Sequence, residues 1–179
     1  MTPALDDVLD RLVRDVEDWP EPGVLFRDVT PLLADPPALR VTVERLTELS
    51  SELADGPVDK VVGIEARGFI LAVPVALALG AGFVPARKAG KLPATTHQVS
   101  YDLEYGSATL EMHTDALVPG ERVVVLDDVL ATGGTMAAVD ELVAATGAEV
   151  VGNVTMLEIG PLGGRSRLPV GRFGTLRTY

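Results

Sequence analysis

The run from Val123 to Thr135, reading VVVLDDVLATGGT, constrains this chain more than any other stretch. Its first four residues are apolar and mostly β-branched, the pattern of a strand buried on both faces. Asp127 and Asp128 are expected to close that strand, and a short loop of Ala131, Thr132, Gly133 and Gly134 follows. Thr135 then opens a helix with Val139, Leu142 and Val143 on one face and Gly147 as its stop. This order predicts a site at the carboxyl end of a parallel strand. Free N–H groups at a helix start attract a phosphate, and glycine lets the backbone approach it closely. The hydroxyls of Thr132 and Thr135 can add donors. Two carboxylates would repel a phosphate, so they must face something neutral or cationic, and ribose hydroxyls and Mg²⁺ both fit. No Lys follows the glycines and no G-x-G-x-x-G is present, which excludes a Walker A loop and the dinucleotide fingerprint. The competing reading is an ordinary strand–loop–helix turn with surface acids.

The remaining chain reads as alternating helices and strands. Residues 3–17 have helical spacing of Leu5, Val8, Leu9, Leu12, Val13 and Val16, with Thr2 as cap and Pro3 in the first turn. Residues 19–35 hold several prolines and a glycine, which forbid a long helix. Within them Phe26, taken alone, reads as a core anchor. Asp35-Pro36 starts a helix that ends near Asp55-Gly56. Val58–Ile64 is a predicted strand, Phe69–Leu79 a buried helix bent at Pro74, and Gly82–Ala86 a second strand. This alternation implies parallel neighbours joined by right-handed crossovers. Arg67, Arg87, Lys88 and Lys91 fall at the carboxyl ends of these strands, the ligand side of an open α/β sheet. Their placement favours an anion site over a solvated charge run. Residues 92–113 are polar, then alternate from Thr109 to His113 like a half-exposed strand; they are expected to form a β-ribbon flap. His97 and His113 lack metal-ligand spacing and read as surface residues. Ala148–Ile159 is a further strand, and 160–179 is a weakly patterned closing segment.

Composition narrows the class. A chain of 179 residues suits one α/β domain, expected to span 1–179. With 47% hydrophobic residues and only 4% aromatic, the core must be Val, Leu and Ala. The absence of Cys excludes disulfides and thiolate metal sites, and it suits a reducing cytoplasm. Residues 1–20 lack a signal-peptide pattern, and Phe69–Val84 is too short and too broken for a membrane span. A formal net charge of −11 disfavours nucleic-acid binding.

Several segments together resemble the adenine phosphoribosyltransferase family, within the type I phosphoribosyltransferases, from about Pro22 to about Glu158. They are Pro22-Gly23-Val24-Leu25-Phe26-Arg27-Asp28, Glu65-Ala66-Arg67-Gly68-Phe69, Arg87-Lys88 with Gly90-Lys91-Leu92-Pro93, Ser100-Tyr101-Asp102-Leu103-Glu104-Tyr105-Gly106, and Asp127-Asp128 through Thr135. The resemblance implies a mostly parallel central sheet flanked by helices. It adds a flap at 92–113 and an N-terminal base-binding hood in 1–35. It implies transfer of the 5-phosphoribosyl group of phosphoribosyl diphosphate (PRPP) to adenine, giving AMP and diphosphate, with Mg²⁺ held mainly through PRPP, in a cytoplasmic homodimer. By the same resemblance, Ala131 to Thr135, including Thr132, Gly133 and Gly134, bind the 5′-phosphate, and Asp127 and Asp128 bind the ribose hydroxyls. Arg67, Lys88 and Lys91 hold the diphosphate, with Arg87 a candidate to arrive from the dimer neighbour. Val24 and Arg27 read the adenine edge, and Phe26 stacks on its face. Glu104 and Arg67 are the implied catalytic residues, Glu104 as the acid/base on the flap. The family often carries a strained peptide at Glu65-Ala66. The alternatives are transfer to another base and a non-catalytic PRPP sensor.

Overall fold

The computed structural model describes residues 4–102 and 107–179. Its residues group into two compact units, 1–45 and 46–179. In the first, α1 (Leu5–Leu12) buries Val8 and Leu9. The helix expected over 3–17 stops at Leu12, because Arg14–Val16 forms a strand, β1, antiparallel to β2 (Phe26–Asp28). Ion pairs Arg14–Asp28 and Arg27–Asp15 tie these two strands together. Helical spacing at Val13 and Val16 is thus overridden by a pairing the local sequence does not reveal. The proline-rich stretch carries a cis Trp19–Pro20 peptide, and α2 (Thr30–Ala34) follows, its Thr30 N–H donating to Asp28 Oδ1 at 2.9 Å. Hydrogen bonds from Thr30, reinforced by Arg14, hold the Asp28 carboxyl down to about 2.

The predicted cap of the next helix is present. Asp35 Oδ1 accepts the N–H of Ala38 at 2.9 Å at the start of α3 (Pro36–Ala54). Its end is held by Arg122, which donates to the carbonyls of Ala54 and Pro57. Then come β3 (Lys60–Ile64), α4 (Arg67–Leu79), β4 (Gly82–Lys88), β5 (Thr96–Asp102), β6 (Ser107–His113), β7 (Arg122–Leu130), α5 (Gly134–Ala145), β8 (Glu149–Glu158), two 3-10 turns and β9 (Phe173–Thr178).

Among the described residues these strands form one seven-stranded sheet, in the order β5-β6-β4-β3-β7-β8-β9. Pairs β3–β4, β3–β7, β7–β8 and β8–β9 are parallel; β4–β6 and β5–β6 are antiparallel. From β3 the chain crosses through α4 to one side, and from β7 through α5 to the other. The order therefore reverses between β3 and β7, and a ligand crevice belongs at their carboxyl ends. The Val-rich strands are buried on both faces: Val61, Val62, Val123, Val124 and Val125 have no exposed surface.

Three expectations need correction. Asp127 and Asp128 do not close β7, which runs on to Leu130 because β8 pairs with it through Glu158. The alternation expected from Thr109 to His113 fails at Glu111, which is 2% exposed between buried Leu110 and Met112. The closing segment is ordered as an edge strand: β9 pairs along β8 from Asn153↔Phe173 to Glu158↔Thr178.

A buried polar contact links α5 to β8. Asn153 Nδ2 donates to Asp140 Oδ2 at 2.9 Å, while Asp140 Oδ1 and Asn153 Oδ1 are buried without a hydrogen bond. Burial pushes the Asp140 carboxyl from its ordinary 3.8 up to about 6. An acid with a raised folded-state value is penalised when charged. The penalty is absent below pH 4, grows between pH 4 and 6, and is complete above. Asp140→Asn removes the charge and supplies an N–H for Asn153 Oδ1. It is expected to stabilise the protein by about 1–3 kcal/mol at pH 7–8 and far less at pH 4. Denaturant melts at the two pH values check this; a gain of equal size at both would exclude titration of Asp140 as its cause.

Candidate active site

The loop after β7 leads into the start of α5. Gly133 sits at φ +81° and caps α5, and no side chain occupies that cap. The first-turn N–H groups of a helix have no partner within it. Thr132 is exposed and Thr135 half-buried, and Thr135 Oγ1 donates to the Tyr101 hydroxyl at 3.1 Å. The end of β5 is thereby tied to the first turn of α5. Glu104 itself lies outside the described residues.

Beside the loop stand the two acids. The Asp128 carboxylate, 8% exposed, pairs with Arg67 Nε. Asp127 is half-buried and its Oδ1 accepts the N–H of Asp128 at 2.9 Å. Burial, with the Asp128 charge beside it, pushes the Asp127 carboxyl well up. Gly68, in the first turn of α4, is what allows this approach: a Cβ there would lie 2.8 Å from Asp127 Oδ1 and 3.0 Å from the Leu126 carbonyl oxygen. The ends of β3 and β7 thus bring Arg67 and both acids to the switch point.

Two of the candidate cations, Arg87 and Lys91, are held by a carboxylate that sequence reasoning missed as their partner. Glu65, whose side chain is 6% exposed, accepts Lys91 Nζ at 2.7 Å and Arg87 Nε at 3.0 Å. Burial opposes its charge, but hydrogen bonds from Lys91, Arg87 and the Lys88 backbone outweigh that and lower its pKa. Arg87 is held within its own chain. Glu111 accepts the N–H groups of Lys91 and Leu92 at 2.8 Å each, and Gln98 Nε2 at 3.2 Å. It fixes the turn that presents Lys88 and Lys91. A buried position for Glu111 is invisible locally, since its partners lie about twenty residues away. The Glu65–Ala66 peptide is cis.

In the first unit Phe26 is half-buried, its ring 4.6 Å from that of Trp19, so it is not the fully buried anchor that its sequence setting alone suggests. Val24 is 36% exposed, and Asp15 holds the Arg27 guanidinium.

Comparison with known proteins agrees with this geometry. The phosphoribosyl transferase domain family matches residues 30–167. The adenine phosphoribosyltransferase of Thermobifida fusca is 55% identical over 168 residues, covering 94% of each chain. The crystal structure of adenine phosphoribosyltransferase from Rhodothermus marinus has a TM-score of 0.90 at 48% identity, covering 98% of each chain. That from Saccharomyces cerevisiae, complexed with an imino-altritol bisphosphate and adenine, has a TM-score of 0.91 at 35% identity over 96% of this chain and 98% of the other. At such identity over nearly the whole length, with the glycine loop, acidic pair and Arg67 gathered at the sheet's switch point, the chain belongs to the adenine phosphoribosyltransferase family.

Proposed function

We propose that this chain transfers the 5-phosphoribosyl group from PRPP to adenine, giving AMP and diphosphate, as in purine salvage. The observation that carries the reading is the uncapped start of α5 placed beside Asp127, Asp128 and Arg67. One end suits a 5′-phosphate, the acids suit the ribose hydroxyls, and the cations suit the leaving diphosphate. In the reaction a nitrogen of adenine forms a bond to the anomeric carbon while the bond from that carbon to diphosphate breaks. The purine's proton passes to Glu104. Positive charge develops on the ribose ring and negative charge on the leaving group, which Arg67, Lys88, Lys91 and Arg87 stabilise. Arg67, Arg87 and Lys91 meet carboxylates in the free protein, so diphosphate would enter a site whose cations are already positioned. Val24, Phe26 and Arg27 form the base site.

Mg²⁺ belongs to this proposal. Among the described residues no group of three or more His, Cys, Asp or Glu comes together. The ion would be held mainly through PRPP, taking its oxygens from that substrate and water. When bound, it neutralises charge on the leaving group. A homodimer is also proposed, supported by the apolar stripe of Ile70, Val73 and Leu77 on α4, each at least 41% exposed. A cytoplasmic location and the reading of 1–179 as one functional domain complete it. Among the described residues no helix is long and apolar enough to cross a membrane.

The deciding experiment is AMP formation from adenine and PRPP, with and without Mg²⁺, against hypoxanthine, xanthine and orotate. AMP formed only with adenine supports the proposal; turnover of another base at equal rate overturns its specificity. Phe26→Ala is expected to weaken adenine binding by about 1–3 kcal/mol, the scale of base–aromatic stacking. An unchanged adenine Kd by calorimetry would remove Phe26 from the base site.

A further inference from the structure

We infer that the closing segment after β8 is a buttress for the 5′-phosphate loop, with Gly164 and the Glu158–Arg165 pair as positioning residues; this builds on the reading of Ala131–Thr135 as that loop. The segment after Glu158 touches the loop directly. A Cβ on Gly164 would collide with the Ala131 carbonyl oxygen and stand 2.8 Å from Gly133 N and 3.0 Å from the Thr132 carbonyl carbon. A Cβ on Gly133 would in turn meet the Gly164 carbonyl. Two backbones are thus in contact where only glycine fits.

What holds Gly164 there is a clamp with two anchors. Glu158 lies across from Leu130 in the β7–β8 ladder, and the Ile159 N–H donates to the Leu130 carbonyl at 2.9 Å. Glu158 is therefore fixed one residue before the loop begins. Its carboxylate, 7% exposed, takes Arg165 through two hydrogen bonds, Nε at 3.1 Å and Nη2 at 2.6 Å, and Thr178 Oγ1 at 3.0 Å. A bidentate guanidinium sets orientation as well as distance. Arg165 also lies 4.8 Å from the centre of the Phe173 ring on β9. Three residues on, Leu168 is buried in the same core cluster as Met136 in the first turn of α5. Gly164 is thus pinned on both sides, and the loop N–H groups can shift away from a bound phosphate only by displacing the segment.

The test compares AMP with adenosine, which differ by the 5′-phosphate. Calorimetry would be run on wild type, Gly164→Ala, Arg165→Met and Arg165→Lys, with PRPP kinetics and thermal melts on each. Gly164→Ala and Arg165→Met are expected to weaken AMP binding and raise the PRPP KM by about 10- to 100-fold, the effect of misplacing a binding group by about an ångström. Adenosine affinity and kcat should stay near wild type, with Arg165→Lys intermediate. Should Gly164→Ala fail to fold, the two Arg165 variants decide. AMP and adenosine weakening together, or AMP affinity unchanged in the Arg165 variants, would overturn the buttress. Wild type binding AMP no better than adenosine would instead overturn the phosphate-loop reading on which it stands.

Discussion

Asp127→Asn is expected to lower kcat/KM for PRPP by about 10²–10³-fold while leaving the protein as stable as wild type or more so. The loss follows from the proposed ribose contacts: a hydrogen bond to a charged group contributes about 1.5–3 kcal/mol, and a carboxylate spanning two hydroxyls makes more than one. The stability expectation has the opposite sign. Burial and the Asp128 charge raise the Asp127 carboxyl well above its ordinary value, so its charge in the folded state costs stability at every pH above that value. An amide removes the cost. Asp128→Asn should impair PRPP use similarly, but it forfeits the ion pair with Arg67, which it offsets partly by relieving Asp127. Steady-state kinetics and melts at pH 7.5 separate the effects. If lost activity in Asp127→Asn simply followed a lowered melting temperature, the acid would be structural and the ligand role would fail.

Glu104→Gln is expected to reduce turnover by about 10²–10⁴-fold, the contribution of a positioned general base. The substitution keeps the shape and removes the proton acceptor. Adenine and PRPP affinities should change much less, because the loss lies in the transition state. What the surrounding structure contributes is the root of the segment. Asp102 pairs with Ser107 across β5 and β6, and the Tyr101 hydroxyl accepts Thr135 Oγ1 in the first turn of α5. Single-turnover and steady-state assays would check the role. Turnover within a few-fold of wild type would end it, whereas a large loss of adenine affinity with intact turnover would make Glu104 a base-recognition residue.

Local chemistry was legible wherever it is local in fact. The β-branched run at Val123–Leu126 could only be a strand buried on both faces, and it has no exposed surface. Asp35 before two prolines could only cap a helix, and its carboxylate does so within three residues. The glycine loop and helix start after β7 belong to the same kind: five or six residues determine their own turn. The glycine loop and acidic pair pointed to a phosphate site, while the family resemblance also needed the segments Pro22–Asp28 and Ser100–Gly106. Tertiary structure decided the rest, because the deciding partners are far along the chain. Arg14–Val16 became a strand through Phe26–Asp28. β7 outran its acids because β8 continues beside it. Glu65 and Glu111 are buried because cations and N–H groups distant in sequence converge on them. Gly164 lies against the backbone of Ala131–Gly133, and the neighbouring Arg165 folds back onto Glu158. A hydrogen-bond donor brought from tens of residues away leaves no periodicity at the position it reaches, so the pattern of residues determined most elements and the glycine turn after β7, while long-range pairing decided how the charged groups around that turn are held.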